Sequence, residues 1–217
     1  MRWLAASATT AAVGYPDCEL IGSGLIAQPI AAWTSLAFLP VGVWILTDRA
    51  MDVAGRAMFG LSVLAVGAGS FLGHADATDW GRELDSLSIK LMLITFVLYP
   101  LGRRQSWTPG VVTSAWLGAF ATVSVIQLLL PASANPLLAV LAGGALVLAV
   151  EAARDGTGYW LGAGLSLIAG GALLWWLGRD GGPWCSVDAS LQPHGLWHIL
   201  AAAGFACLYQ VHRSSMP

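Results

Sequence analysis

Seven long apolar runs take up most of this sequence, and they limit what it can fold into. A helix that crosses the hydrocarbon core of a bilayer needs about 20 mostly apolar residues. Hydrophobic residues make up 57% of the 217 positions and charged residues only 10%, whereas soluble domains carry about 25% charged residues. The runs cover approximately residues 26–47, 57–75, 84–102, 109–130, 135–152, 158–178 and 194–212. They predict an all-α polytopic membrane protein with seven transmembrane helices, in a single domain over residues 1–217.

The breaks between the runs collect charged residues, and their arginines predict an orientation. Positively charged side chains in short loops favour the cytoplasmic side of a membrane. Six arginines fall on one side, namely Arg49, Arg56, Arg103, Arg104, Arg154 and Arg213, and three on the other, namely Arg2, Arg82 and Arg179. We therefore predict an N-terminus outside and a C-terminus in the cytoplasm, with the outer side facing the periplasm if the membrane is a bacterial inner membrane. The net charge of −2 gives no indication of a nucleic-acid partner.

The polar residues that need an explanation lie mostly at the outer end of the predicted bundle. His74 ends the second span, Asp85 begins the third, and the pair His194 and His198 begins the seventh. The pair is spaced i, i+4, which places both imidazoles on one face of a helix and within reach of one metal ion. His74 adds a third nitrogen, and three protein ligands with one open position are typical of catalytic zinc. The alternative is that the pair only packs against a neighbour or caps its helix.

Two further side chains lie close to this predicted metal site. Ser70 precedes His74 by four residues and so shares its helix face. It is either a packing serine bonded to a backbone carbonyl or a hydroxyl beside a reacting water. Asp85 either complements the positive N-terminus of its helix or accepts a proton from that water. A carboxylate inside a membrane bundle is costly unless it is paired or functional.

Taken together, these motifs resemble the alkaline ceramidase family. The segment GSFLGHADATDWGRELD is similar to the family's Ser-x-x-x-His and Asp motif, HGLWHILAA to its closing His-x-x-x-His motif, and CELIGSGLIAQPIAAWTSLAFLP to its first span. The wider superfamily includes adiponectin-receptor-like and hemolysin-III-like membrane proteins. The resemblance implies a zinc ion on His74, His194 and His198, with Ser70 and Asp85 as catalytic residues. It also implies hydrolysis of the N-acyl bond of a ceramide or a related lipid amide that enters from the bilayer.

The N-terminal segment departs from the family pattern. The family's calcium site uses an Asp-Trp-Cys-Glu-x-Asn segment, whereas this chain reads PDCELI, with Pro16 at the position of the first Asp. Calcium takes six to eight oxygen ligands, so a calcium site on Asp17 and Glu19 stays open, and the alternative is that these residues cap or hydrogen-bond the outer rim. The family also places a cysteine pair here. The resemblance therefore implies a disulfide between Cys18 and Cys185, and the alternative is two free thiols.

Other functions stay open for the same residues. A non-catalytic protein of the adiponectin-receptor-like or hemolysin-III-like type would use zinc structurally, and a fourth protein ligand would favour that function. A haem or quinone redox protein would use His74 and one histidine of the seventh span as axial ligands. The sequence predicts no particular acyl chain and no oligomeric state.

Two polar residues lie away from the histidine cluster. We expect His212, at the opposite end of the seventh span, to contact solvent or lipid headgroups. Lys90 is the only lysine and lies about two turns into the third span. We expect its ammonium group either to extend towards the outer rim, as long cationic side chains do, or to contact a polar group of the substrate.

Overall fold

The computed structural model describes residues 17–214, and this part of the chain is helical apart from its connecting loops. The helices are α1 (Pro29–Ser35), α2 (Phe38–Thr47), α3 (Val53–Asp76), α4 (Asp79–Arg104), α5 (Pro109–Leu129), α6 (Ala134–Ala152), α7 (Gly158–Leu177) and α8 (Pro193–Ser214). Short 3-10 turns cover Pro131–Ser133 and Ala153–Asp155. Within residues 17–214 there is no strand, only an isolated β-bridge between Asp17 and Arg179. The predicted all-α class is confirmed.

Six helical segments are long and apolar enough to cross a membrane, which makes the described chain a multi-pass membrane protein. They are Pro29–Thr47, which combines α1 and α2, Val53–Asp76, Asp79–Arg104, Pro109–Leu129, Pro131–Ala152 and Gly158–Leu177. Helix α8 has 22 residues but is not apolar enough, because His194, His198 and His212 lower its mean hydropathy. The seventh span and the orientation of the bundle stay predictions.

Side-chain caps determine where the two central helices begin. The Asp52 carboxylate accepts the backbone N–H of Gly55 at 2.7 Å, and the Thr78 hydroxyl accepts that of Gly81 at 3.1 Å. Caps of this kind satisfy N–H groups that the first helical turn leaves without a partner. Helices α3 and α4 therefore start at residues 53 and 79, before the apolar runs that predicted them. Asp85 consequently lies beyond the first turn of α4, where the helix dipole has little effect.

Helices α3 and α4 pack against each other and are the most buried of the spanning segments. Helices α1 and α2 pack on α3, and α8 packs mainly on α7 and also contacts α1 and α2. Most of α5, α6 and α7 faces outward. The helix directions define two ends. We call the end with loops 17–28, 77–78 and 178–192 the site end, and the end with loops 48–52, 105–108 and 156–157 the opposite end.

An aromatic cluster fills the core towards the opposite end. Phe59 meets the rings of Phe96, Tyr99 and Tyr209 edge to face at centroid distances of 4.9, 5.4 and 5.6 Å, an arrangement that aromatic pairs favour. His212 is buried in the same cluster and stacks on Phe59 at 5.9 Å. The expectation that His212 contacts solvent or headgroups is therefore wrong, because this face of α8 turns into the bundle.

A disulfide ties the N-terminal segment to the loop before α8. Cys18 and Cys185 are bonded, with 5.3 Å between their Cα atoms, and this is the pair that the family resemblance implies. The neighbouring residue Asp17 pairs through its backbone with Arg179 in the same loop. The segment that precedes α1 is thus held against the start of α8.

Close packing of α2 on α3 depends on two glycines. A Cβ atom placed on Gly60 would lie 3.1 Å from the carbonyl oxygen of Gly42 and would overlap the side chain of Leu46. Small residues at such crossings let helices approach closely in lipid. We expect Gly60→Val to destabilise the bundle by about 1–3 kcal/mol, which is a decrease of roughly 2–12 °C in melting temperature, measured by thermal unfolding in detergent.

The matched control is Gly118→Val. Gly118 lies on the exposed face of α5, and a Cβ atom there meets nothing within 4 Å, so its melting temperature should stay that of the wild type. Equal melting temperatures for Gly60→Val and Gly118→Val would contradict the packing of α2 on α3.

Candidate metal centre

Three histidines from two helices meet at the site end. His74 lies near the end of α3, and His194 and His198 lie at the start of α8, one turn apart. The Nε2 atom of His194 is 3.1 Å from that of His74 and 3.0 Å from that of His198. Nitrogens that share a tetrahedral zinc at about 2.0–2.1 Å are about 3.4 Å apart. The structure therefore brings together all three predicted ligands at a separation that suits one metal ion.

The proton position on His74 follows from Gln28. The side-chain amide nitrogen of Gln28 donates to the backbone carbonyl of Glu19 at 2.9 Å, which fixes the orientation of the amide. The amide oxygen then faces Nδ1 of His74 at 2.8 Å. Because an amide oxygen only accepts hydrogen bonds, Nδ1 of His74 carries the proton and Nε2 presents a lone pair to the centre.

The same reasoning applies to the two histidines of α8. Nδ1 of His194 is 2.7 Å from a carboxylate oxygen of Asp17, which only accepts. Nδ1 of His198 is 3.2 Å from the Thr34 hydroxyl and 3.3 Å from the Ser35 hydroxyl. Both hydroxyls donate their protons to backbone carbonyls one turn earlier in α1, at 2.7 and 2.8 Å. They are therefore acceptors for His198, and both Nε2 atoms of α8 also present lone pairs inward.

The three Nε2 lone pairs converge within hydrogen-bonding distance, and each ring carries its proton on the opposite nitrogen, Nδ1. The lone pairs therefore repel one another. A cation at their meeting point removes this repulsion, so the donor set fits a metal ion. Imidazole suits zinc, copper, iron and nickel. The geometry does not suit a haem, because axial ligands stand on opposite faces of the porphyrin and cannot bring their Nε2 atoms to 3.1 Å.

Asp17 is the buried carboxylate closest to the histidines. Its other oxygen lies 3.8 Å from Nδ1 of His74, and Trp175 donates its indole N–H to the first oxygen at 3.3 Å. Burial raises the pKa of the Asp17 carboxyl, whereas the charges that His194 and His74 carry when protonated, together with hydrogen bonding from His194 and Trp175, lower it, and the net shift is below the usual value.

Ser70 and Asp85 lie on the inner side of the centre. The Ser70 hydroxyl is 3.3 Å from Nε2 of His198, and Ser70 lies beside the carboxyl group of Asp85. Asp85 lines the cavity beside the histidines. Within residues 17–214, the group of side chains close enough to share a metal ion consists of the three histidines and contains no carboxylate.

An apolar cavity of about 620 Å³ extends from the centre into the bundle. Its polar end is lined by Asp17, Ser70, Asp85, His194 and His198. The remaining walls come mainly from aliphatic and aromatic side chains of α4, α6, α7 and α8, among them Met92, Phe96, Leu146, Ile168, Phe205 and Leu208. A cavity with this lining suits a hydrocarbon chain whose polar group stays at the histidines.

Both carboxylates of the predicted calcium site have other partners. The two oxygens of Glu19 accept the backbone N–H groups of Ile30 and Ala31 at 2.7 and 2.8 Å and thereby cap α1. Asp17 faces the histidines. These contacts correspond to the alternative in which the two residues cap or hydrogen-bond the rim, and calcium binding stays a prediction.

Sequence reasoning missed the partners of the histidines and of Lys90. Gln28, Thr34 and Ser35 had no assigned role, although a polar residue before Pro29 and adjacent hydroxyls on an apolar helix are signals of a buried polar contact. Lys90 points back by one turn, and its ammonium group donates to the hydroxyl of Ser86 at 2.6 Å. Its side chain stays buried and does not reach the rim.

No family model matches this chain, and no curated protein matches it. The resemblance to the alkaline ceramidases therefore stays a prediction from the motifs. The geometry of the histidines, the nearby carboxylates and the cavity carries the functional argument instead.

We expect the detergent-purified full chain to bind about one divalent transition-metal ion. Replacing His74 with Ala removes one of three ligands, so metal content should fall to near zero. Elemental analysis of the folded fraction from size-exclusion chromatography measures this directly. The matched control is His212→Ala, which removes the buried histidine of the aromatic cluster and should leave the metal content unchanged. A wild-type chain that is folded but free of metal, prepared without chelators, would contradict the site.

Proposed function

We propose that this protein is a zinc-dependent intramembrane amidase that hydrolyses the N-acyl bond of ceramide or a related N-acyl lipid. The observation that carries the proposal is the centre with three inward-facing histidines at the polar end of an apolar cavity. Amide hydrolysis needs an activated water, an acceptor for its proton and a binding site for the acyl chain. The residues around the centre offer each of these.

The arrangement favours an enzyme over a receptor with a structural zinc. Structural zinc sites are closed by four protein ligands, whereas catalytic sites keep one position open. Within the described residues the ligand group stops at three histidines. The side that faces the cavity holds Ser70 and Asp85, which are the side chains that acid–base chemistry requires.

In this proposal the histidines, Asp85 and Ser70 have different tasks. His74, His194 and His198 would hold a zinc ion, which would supply the acidity to activate a water at neutral pH and to polarise a carbonyl group. Asp85 takes a proton from the attacking water and returns it to the leaving nitrogen as the C–N bond breaks. Ser70 orients the Asp85 carboxylate and lies close enough to the centre to stabilise negative charge on the carbonyl oxygen. The products are a fatty acid and a free amine.

The cavity supports a substrate with a hydrocarbon chain. Its walls are apolar while its polar end carries the histidines and Asp85, so an acyl chain fits inside with the amide at the centre. Such a lipid enters from the bilayer. The proposal includes α8 as a seventh span, an N-terminus outside and a C-terminus in the cytoplasm, which places the metal centre near the periplasmic side of a bacterial inner membrane.

We expect wild-type protein in lipid nanodiscs to release fatty acid from at least one lipid in a panel of ceramides, N-acyl amino acids and N-acyl ethanolamines. Asp85→Asn should lower kcat by about 10²–10⁴-fold, because the amide cannot accept a proton. Ser70→Ala should lower it by about 10²–10³-fold. Mass spectrometry of the released fatty acid measures both.

The matched control is Ser62→Ala. Ser62 is buried on α3, the helix that carries Ser70, and donates to the carbonyl of Phe59 at 3.0 Å. It lies outside the metal centre, so loss of its hydroxyl should leave kcat unchanged. Zinc content should be the same in all four proteins, which separates a loss of chemistry from a loss of metal. Full activity of Asp85→Asn, or no hydrolysis of any panel lipid by zinc-loaded wild type, would rule out the proposed reaction.

A further inference from the structure

We propose that Asp17 is a positioning residue of the metal centre, which holds the histidine ligands in the orientation that turns Nε2 inward. The inference rests on the metal site of the proposed function and is independent of the reaction. It assigns a role to a carboxylate that lies beside Nδ1 of His194, on the side of that ring away from Nε2.

The contacts of Asp17 connect it to two ligands. One carboxylate oxygen lies 2.7 Å from Nδ1 of His194, and the other lies 3.8 Å from Nδ1 of His74. The side chain is 1% exposed, and Trp175 donates to it at 3.3 Å. A carboxylate that accepts from Nδ1 fixes the ring, keeps the proton off Nε2 and increases the basicity of the ligand nitrogen.

Asp17 is itself held in place from three directions. Its backbone pairs with Arg179, the next residue Cys18 is bonded to Cys185, and Glu19 caps α1 with both carboxylate oxygens. The three residues 17–19 therefore cannot shift without breaking contacts to α1 and to the loop before α8. This anchoring gives the carboxylate a defined position before any ligand binds.

Charge provides a second argument. Three neutral imidazoles leave the full charge of a divalent cation uncompensated, and a charge inside a membrane bundle is costly. Asp17 and Asp85 are two carboxylates that line the cavity, and Asp17 lies 2.7 Å from Nδ1 of His194. A negative charge on Asp17 would offset part of the charge of a bound cation from the side of the ring away from Nε2.

The test compares zinc affinity in four full-length proteins purified in detergent. These are wild type, Asp17→Asn, Asp17→Ala and the control Asp180→Ala, which removes an exposed carboxylate in the same loop as Arg179. Affinity is measured by competition with a chromophoric chelator, and geometry by the visible absorption of the cobalt-substituted protein. We expect Asp17→Ala to bind zinc about 10–100-fold more weakly and to show an altered cobalt spectrum.

Asp17→Asn should lie between Asp17→Ala and wild type, because its amide oxygen can take the place of the carboxylate oxygen 2.7 Å from Nδ1 of His194 but carries no charge. Asp180→Ala should match wild type. Wild-type zinc affinity in Asp17→Ala would overturn the inference and leave the proposed function standing. The inference would also be overturned if Asp17→Asn and Asp17→Ala lost zinc affinity equally and only because both proteins unfold. Weaker zinc binding in the Asp17 variants, together with a wild type that cleaves no lipid amide, would support the inference and reject the proposed reaction.

Discussion

Three imidazole lone pairs that face one another are the constraint on which the rest of this structure depends. Each Nδ1 atom has an acceptor on the outside of its ring, so no proton is left to separate the Nε2 atoms, which lie 3.0 and 3.1 Å apart. The arrangement repels itself unless a cation occupies the middle. A metal ion at that point would relieve the repulsion, and the partners on the outside keep the rings in place.

Those partners come from a single short stretch of the chain. They are Asp17, Gln28, Thr34 and Ser35. Helix α1 and the segment before it thus serve as an outer layer for ligands on α3 and α8, and the disulfide fastens this layer to the loop before α8. At the opposite end, Asp48 and Asp52 accept from Tyr209 and Tyr99 at 3.1 and 2.9 Å. Polar contacts close both ends of the bundle, and the apolar cavity lies between them.

The sequence predicts the helices well because an apolar run is a local property. It also predicts that His74, His194 and His198 meet, since i, i+4 spacing and a shared depth in the membrane can be read along the chain. What could not be predicted depends on which helix faces which. His212 is buried among aromatic rings although it ends its helix, and Gln28 contacts His74 across 46 positions. The starts of α3 and α4 were also missed, because polar caps rather than apolar residues determine them.

The most direct test of the three-histidine centre is X-ray absorption at the zinc edge of the purified, zinc-loaded chain. The structure predicts imidazole nitrogens at about 2.0–2.1 Å, with multiple-scattering features that fit three histidines and one further light ligand. A sulfur shell at about 2.3 Å, or a zinc environment without imidazole scattering, would contradict the centre. Such a result would separate the metal from His74, His194 and His198 and would remove the basis of the amidase proposal.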